Sequence, residues 1–79
     1  MINFIDANGK EKNARSIKII KHSIRDAIND TTFDEDWIEI TVVGRIRGEW
    51  KEYIKAEDFK KLNPELYKLL IENHGIIQV

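Results

Sequence analysis

The chain has 79 residues, with 13 Lys and Arg against 14 Asp and Glu, and a formal net charge of −1. That length holds one domain and one core, with no room for a second core or a cleft walled on all sides, and the even charge balance argues against bulk, sequence-independent nucleic-acid binding. The absence of cysteine excludes disulfides, thiolate metal sites, iron–sulfur clusters and thiol nucleophiles, and fits a reducing, cytoplasmic setting.

The opening residues Met1 to Asp6 lack a basic segment followed by an apolar stretch, so no signal peptide is expected, and no apolar run approaches the roughly 18 residues of a membrane span. Frequent isoleucine beside Lys, Asn, Asp and Glu is the usage that AT-rich coding produces, which points to a bacterial or phage source.

Ile2-Asn3-Phe4-Ile5 reads as a short strand ended by the turn Asp6-Ala7-Asn8-Gly9. Lys10 to Asn13 is too polar for a buried strand, although a brief hairpin return there is the alternative. From Asn13 or Ser16 to about Asn29, Ile17, Ile20, Ile24, Ala27 and Ile28 fall within one arc at 3.6 residues per turn, which predicts an amphipathic helix. Ile19 points away from that arc. Asp30 to Glu35 reads as an acidic loop anchored by Phe33.

From Asp36 to Ile54 apolar and polar residues alternate strictly, which predicts a β-hairpin. An odd-numbered loop around Arg45-Ile46-Arg47, between Gly44 and Gly48, sets Val42 against Trp50 and Ile38 against Ile54 on one buried face. Trp37, Glu39, Thr41, Val43, Glu49, Lys51, Tyr53 and Lys55 share the other face. A short helical turn over Ala56 to Leu62 follows. Asn63-Pro64 then reads as cap and first residue of a last helix with Leu66, Leu69 and Leu70 inward, Gly75 is its left-handed stop, and Ile76 to Val79 is a final strand. The order is that of a single α+β domain, residues 1–79: a two-layer sandwich in β-α-β-β-α-β order, as in a ferredoxin-like split unit, with a central antiparallel hairpin. The alternative adds a strand before the first helix and leaves the tail unpaired.

The chemical inventory is thin, and no enzyme, catalytic residue, metal or cofactor is expected. On a helix His22 and Ser23 would point about 100° apart, so they form no nucleophile–base pair. His74 suits the last turn of its helix as a dipole-matched cation. The carboxylates of Asp30 and Asp34 to Asp36 lack the central Gly and closing Glu of a calcium loop, and Gly44 to Gly48 lacks the Gly-Lys-Ser/Thr ending of a phosphate loop.

Two surfaces stand out. Trp37, Val43 and Tyr53 on the polar side of the hairpin, together with Ile19, form a candidate apolar patch for a protein partner or self-association. Arg15, Lys18, His22 and Arg25 recur at helical spacing and, with Arg45 and Arg47 at the hairpin tip, form a candidate nucleic-acid surface. Glutamates interleaved among these cations rank it second. The expected function is a non-enzymatic cytoplasmic accessory or interaction module, with nucleic-acid binding as the alternative.

Overall fold

A computed structural model describes residues 1–46 and 48–79. The chain runs β1 (Ile2–Ile5), β2 (Glu11–Asp26), β3 (Thr31–Val43), β4 (Glu49–Lys55), α1 (Ala56–Leu62), α2 (Pro64–Glu72) and β5 (Ile76–Gln78). The strands form one antiparallel sheet in the order β1-β2-β3-β4, with β5 also on β2. The sheet curls into a half-barrel, and the two short helices cover its concave side. This overturns the β-α-β-β-α-β sandwich: the expected first helix is the long strand β2, and the expected acidic loop is the first half of β3.

Two departures from regular alternation make β2 look helical. Ala14 pairs with Val42 but Ser16 pairs with Thr41, so Arg15 is an extra residue, a β-bulge. The bulge shifts the alternation, and Ala14 and Ile17, three apart, both reach the core with no exposed surface. Further on, Ile19 faces inward and Ile20 outward, and the next apolar residue, Ile24, continues the outward set. The resulting spacing imitates a period of 3.6. Four β-branched isoleucines and the cross-strand partners of β3 decide for the strand.

The bulge bends β2, so one edge takes two partners. Residues 11–14 pair with β1 and residues 16–18 with β5, while the Arg15 carbonyl accepts from the Val79 amide at 3.0 Å. The hairpin return expected as the alternative for Lys10 to Asn13 is present, with Ile5 opposite Glu11, but it runs on to Asp26. The β3–β4 hairpin has the expected register, Val42 opposite Trp50 and Ile38 opposite Ile54. Gly44 donates to the Gly48 carbonyl at 2.7 Å across its loop. A Cβ on Gly44 would lie 2.5 Å from the Trp50 ring, so close approach of the indole requires glycine there.

Phe4, Ala14, Ile17, Ile38, Ile40, Val42, Ile54, Ala56, Phe59 and Leu70 form the core. Trp50 is on the core side as expected, but at the open end of the curl, where it is 37% exposed. Ile20 and Ile24 lie on the convex face, and Ile28, at 94% exposure, sits in the β2–β3 turn. On α2 the buried side is Leu70 with Leu66, while Leu69 is half-exposed.

Asn63 makes no side-chain cap. Its Oδ1 accepts from the Ile5 amide at 2.8 Å and its Nδ2 donates to the Ile5 carbonyl at 2.9 Å. The side-chain amide thus takes the place of a neighbouring strand on the outer edge of β1, which explains a polar side chain only 8% exposed.

Asp6 organises the first turn. Its buried carboxylate accepts from the amides of Asn8 at 2.9 Å and Lys10 at 2.8 Å, and Lys12 Nζ lies 2.8 Å from Oδ2. Lys12 also reaches Glu52, which accepts from Trp50 Nε1. The Lys12 ammonium, and then the Lys10 amide, hold the Asp6 carboxyl below the usual aspartate range. A depressed carboxylate contributes stability that is present above about pH 4 and is lost as pH falls through its folded value. Wild-type urea midpoints are therefore expected to fall between neutral pH and about pH 2.5, and Asp6→Asn is expected to start lower at neutral pH and to fall less. Parallel pH profiles for the two proteins would contradict this role.

Candidate interaction surface

Beyond the ends of β4 and β5 the sheet narrows to a two-stranded ribbon. β4 reaches only Trp37, opposite Lys55, and β5 ends its pairing at Lys18, extended by the Ile19 amide donating to Gly75. Among the described residues, Lys21–Asp26 and Thr31–Asp36 therefore pair only with one another, an arm of about 20 Å at roughly 3.3 Å per residue. The turn at its tip is built by Asp26, which accepts from the amides of Ile28 and Asn29, and by Asp30 at φ 50°.

Along this arm the apolar side changes face. In the body Ile17, Ile19, Ile38, Ile40 and Val42 face the helices. At the arm's base Asp36 borders Lys60 of α1 and Tyr67 of α2, and the inner side of the arm is polar: Lys21 pairs with Asp36, Ser23 donates to Asp34, and Arg25 pairs with Asp30. The outer side carries Ile20 opposite Trp37 and Ile24 opposite Phe33, with His22 opposite Glu35 between them. The switch falls on two consecutive apolar pairs, Ile19-Ile20 and Trp37-Ile38, that lie directly across from each other.

Where the arm meets the body, Ile20, His22, Trp37 and Tyr53 line a shallow, apolar niche of about 310 Å³. His22 meets the Trp37 ring edge-to-face, with centroids 6.1 Å apart and an interplanar angle of 76°. Trp37 Nε1 donates to Glu35 at 3.0 Å, which fixes the indole. Tyr53 donates to Glu39 at 3.1 Å, and the same carboxylate takes Lys51 at 3.0 Å and Lys18 at 3.4 Å. Lys51 chiefly, with Tyr53 and Lys18, holds the Glu39 carboxyl below its usual range, while donation to Glu39 pushes the Tyr53 hydroxyl up. Lys55 lies 3.5 Å from Glu35. The rim of the niche is thus a set of matched charges around an aromatic floor.

Of the four residues assigned to a protein-binding patch, Trp37 and Tyr53 meet at this niche. Val43 is on the same face but at the far end of β3, opposite Asn13 and Glu49. Ile19 is on the inner face, packed on the core beside Gly75. Ile20, Ile24 and Phe33 join the surface instead, Phe33 at 50% exposure. Their signal is in the sequence: Phe33, Glu35 and Trp37 alternate in the phase opposite to Ile38, Ile40 and Val42.

The basic set does not form one stripe on a strand. Lys18 and His22 flank the niche, Arg15 in the bulge pairs with Glu49, and Arg25 is on the inner side of the arm. Arg45 is exposed in the β3–β4 loop, and Arg47 lies outside the described residues. Among the described residues no group of three or more His, Asp or Glu side chains is arranged to hold a metal ion, and no helix is long and apolar enough to cross a membrane. No protein-family model, curated protein or solved structure matches the chain.

Proposed function

We propose that this chain is a non-enzymatic protein-binding module that engages another polypeptide through the outer face of the β2–β3 arm. The observation that supports this reading is the switch of the apolar side from the covered face of the body to the open face of the arm. Folding the body does not require it, since an arm that served only as a spacer would be polar on both sides. An apolar strip with a Trp, a Tyr and a Phe, rimmed by matched charges, has the composition of a binding hot spot surrounded by a polar rim. Among the described residues no activated nucleophile and no paired acid and base are brought together.

Trp37→Ala is expected to weaken partner binding by about 2 kcal/mol or more, roughly 30-fold in Kd, while leaving the fold intact, because Trp37 lies outside the buried core. The check is quantitative mass spectrometry of proteins retained from the source organism's lysate by immobilised wild type and by Trp37→Ala, with urea midpoints run alongside. Equal retention of the same proteins by both would sink the reading.

A single-stranded nucleic acid is the second reading, favoured by Lys18, Lys51 and Lys55 around Trp37 and Tyr53. It ranks lower because Glu39 and Glu35 already match those lysines.

A further inference from the structure

Resting on the protein-binding reading, we propose that the polypeptide seated on the outer face is a second copy of this chain. The two arms lie antiparallel, so that Phe33 of each copy enters the niche of the other.

The outer face is complementary to itself in shape. The same face presents a knob, the half-exposed Phe33, and a hole, the niche floored by Trp37. They are four residues apart on one strand, about 13 Å at strand rise. The row midway between them is His22 opposite Glu35. A two-fold axis through that row, across the strands, carries Phe33 onto the second copy's Trp37 and Ile24 onto its Ile20, and the reverse contacts follow by symmetry. Glu35 at the axis is held aside by Lys55 and Trp37 Nε1.

Charge is distributed unevenly along the molecule. In residues 20–36, Lys21 and Arg25 stand against Asp26, Asp30, Asp34, Glu35 and Asp36, a net −3, and the chain total of −1 leaves +2 for the rest. The arm is therefore acidic and the body basic. On the outer face itself, antiparallel stacking places Asp26 beside the second copy's Lys18, whose ammonium lies 3.4 Å from Glu39. Parallel stacking would set acid on acid.

Two arm faces of roughly 20 by 10 Å, about 200 Å² each, bury on the order of 500 Å² in total with Tyr53 and the niche walls, the size of a weak, reversible contact.

The chain has no cysteine, so a single introduced thiol reports its own position. His22→Cys lies at the proposed axis, whereas Thr32→Cys lies on the inner side of the arm. Sedimentation velocity of the wild type from about 5 to about 500 μM is expected to show a concentration-dependent shift from monomer to dimer, and Phe33→Ser, a substitution at a half-exposed site, is expected to remain monomeric throughout. On mild oxidation His22→Cys is expected to form a disulfide-linked dimer much faster than Thr32→Cys, and Phe33→Ser in the His22→Cys background to abolish the difference. A wild type that stays monomeric across the range overturns the proposal. So do dimers that survive Phe33→Ser, or equal cross-linking at positions 22 and 32. The protein-binding reading fails separately: if the wild type is monomeric yet Trp37→Ala loses proteins that the wild type retains, only the second copy as occupant is excluded.

Discussion

Leu70→Ala is expected to lower the unfolding free energy by about 2–5 kcal/mol, and Leu69→Ala, one residue earlier on the same helix, by under about 1 kcal/mol. Leu70 has no exposed surface and packs with Phe59, Ala56 and the inward isoleucines of β3, so truncation leaves a cavity that rigid strands cannot collapse. Leu69 is 46% exposed and keeps much of its surface in water in the folded state. Urea denaturation of the two variants beside the wild type makes the comparison. Equal losses would mean that α2 is rotated about its axis from the orientation described here.

The second large effect is at Asn63. Asn63→Ala removes both hydrogen bonds to Ile5 and leaves an amide and a carbonyl on the outer edge of β1 without their partner, for which we expect a loss of about 2–4 kcal/mol. The cost comes from stranded backbone groups and exceeds what a lost helix cap alone would give. Asn63→Asp separates the two bonds: an ionised carboxylate still accepts from the Ile5 amide but opposes the Ile5 carbonyl. Asn63→Asp is therefore expected to be destabilised at neutral pH and to move closer to the wild type at about pH 3, where a protonated oxygen can donate again. Chemical denaturation at both pH values tests it, and a neutral effect of Asn63→Ala would show that water replaces the side chain without cost.

The parts of the fold that were legible from the chain are those in which one signal acted alone. The alternation of residues 36–54 had no competing reading, and its register followed from the need to put Ile38, Val42 and Ile54 on one side. Pro64 and Gly75 bracket α2 because the backbone chemistry at each position permits little else. β2 failed because two separate events, a bulge and a change of buried face, each shift the alternation by one residue, and their sum mimics a helix. Ile19 was the warning: it has no place on the amphipathic helix, but it has one on a strand whose inner face is buried up to that point. The candidate site followed the same pattern. Alternation within the hairpin is enough to put Trp37 and Tyr53 on one outer face. Putting Ile20, Ile24 and Phe33 beside them requires knowing that β2 and β3 pair beyond the limits of the other strands. Ile19 and Val43 lie apart from the niche, one on the inner face and one at the far end of β3, an order that only the paired sheet supplies.

The bulge at Arg15 also bears on the order of events in folding. Because β2 bends there, its single edge is completed end to end by the earliest strand and the latest one, with Ile2 opposite Ala14 and Gln78 opposite Ser16. The β1–β2 and β3–β4 hairpins can zip as soon as they are synthesised, each closing a short loop. The middle of β2, in contrast, waits for a segment some sixty positions downstream, and so does Ile5, whose amide group is completed by Asn63. Until β5 forms, the Ile17 backbone lacks its partner on one side. Closure of that loop is the longest-range pairing in the sheet, and its entropic cost is met only when β5 and Asn63 reach the sheet.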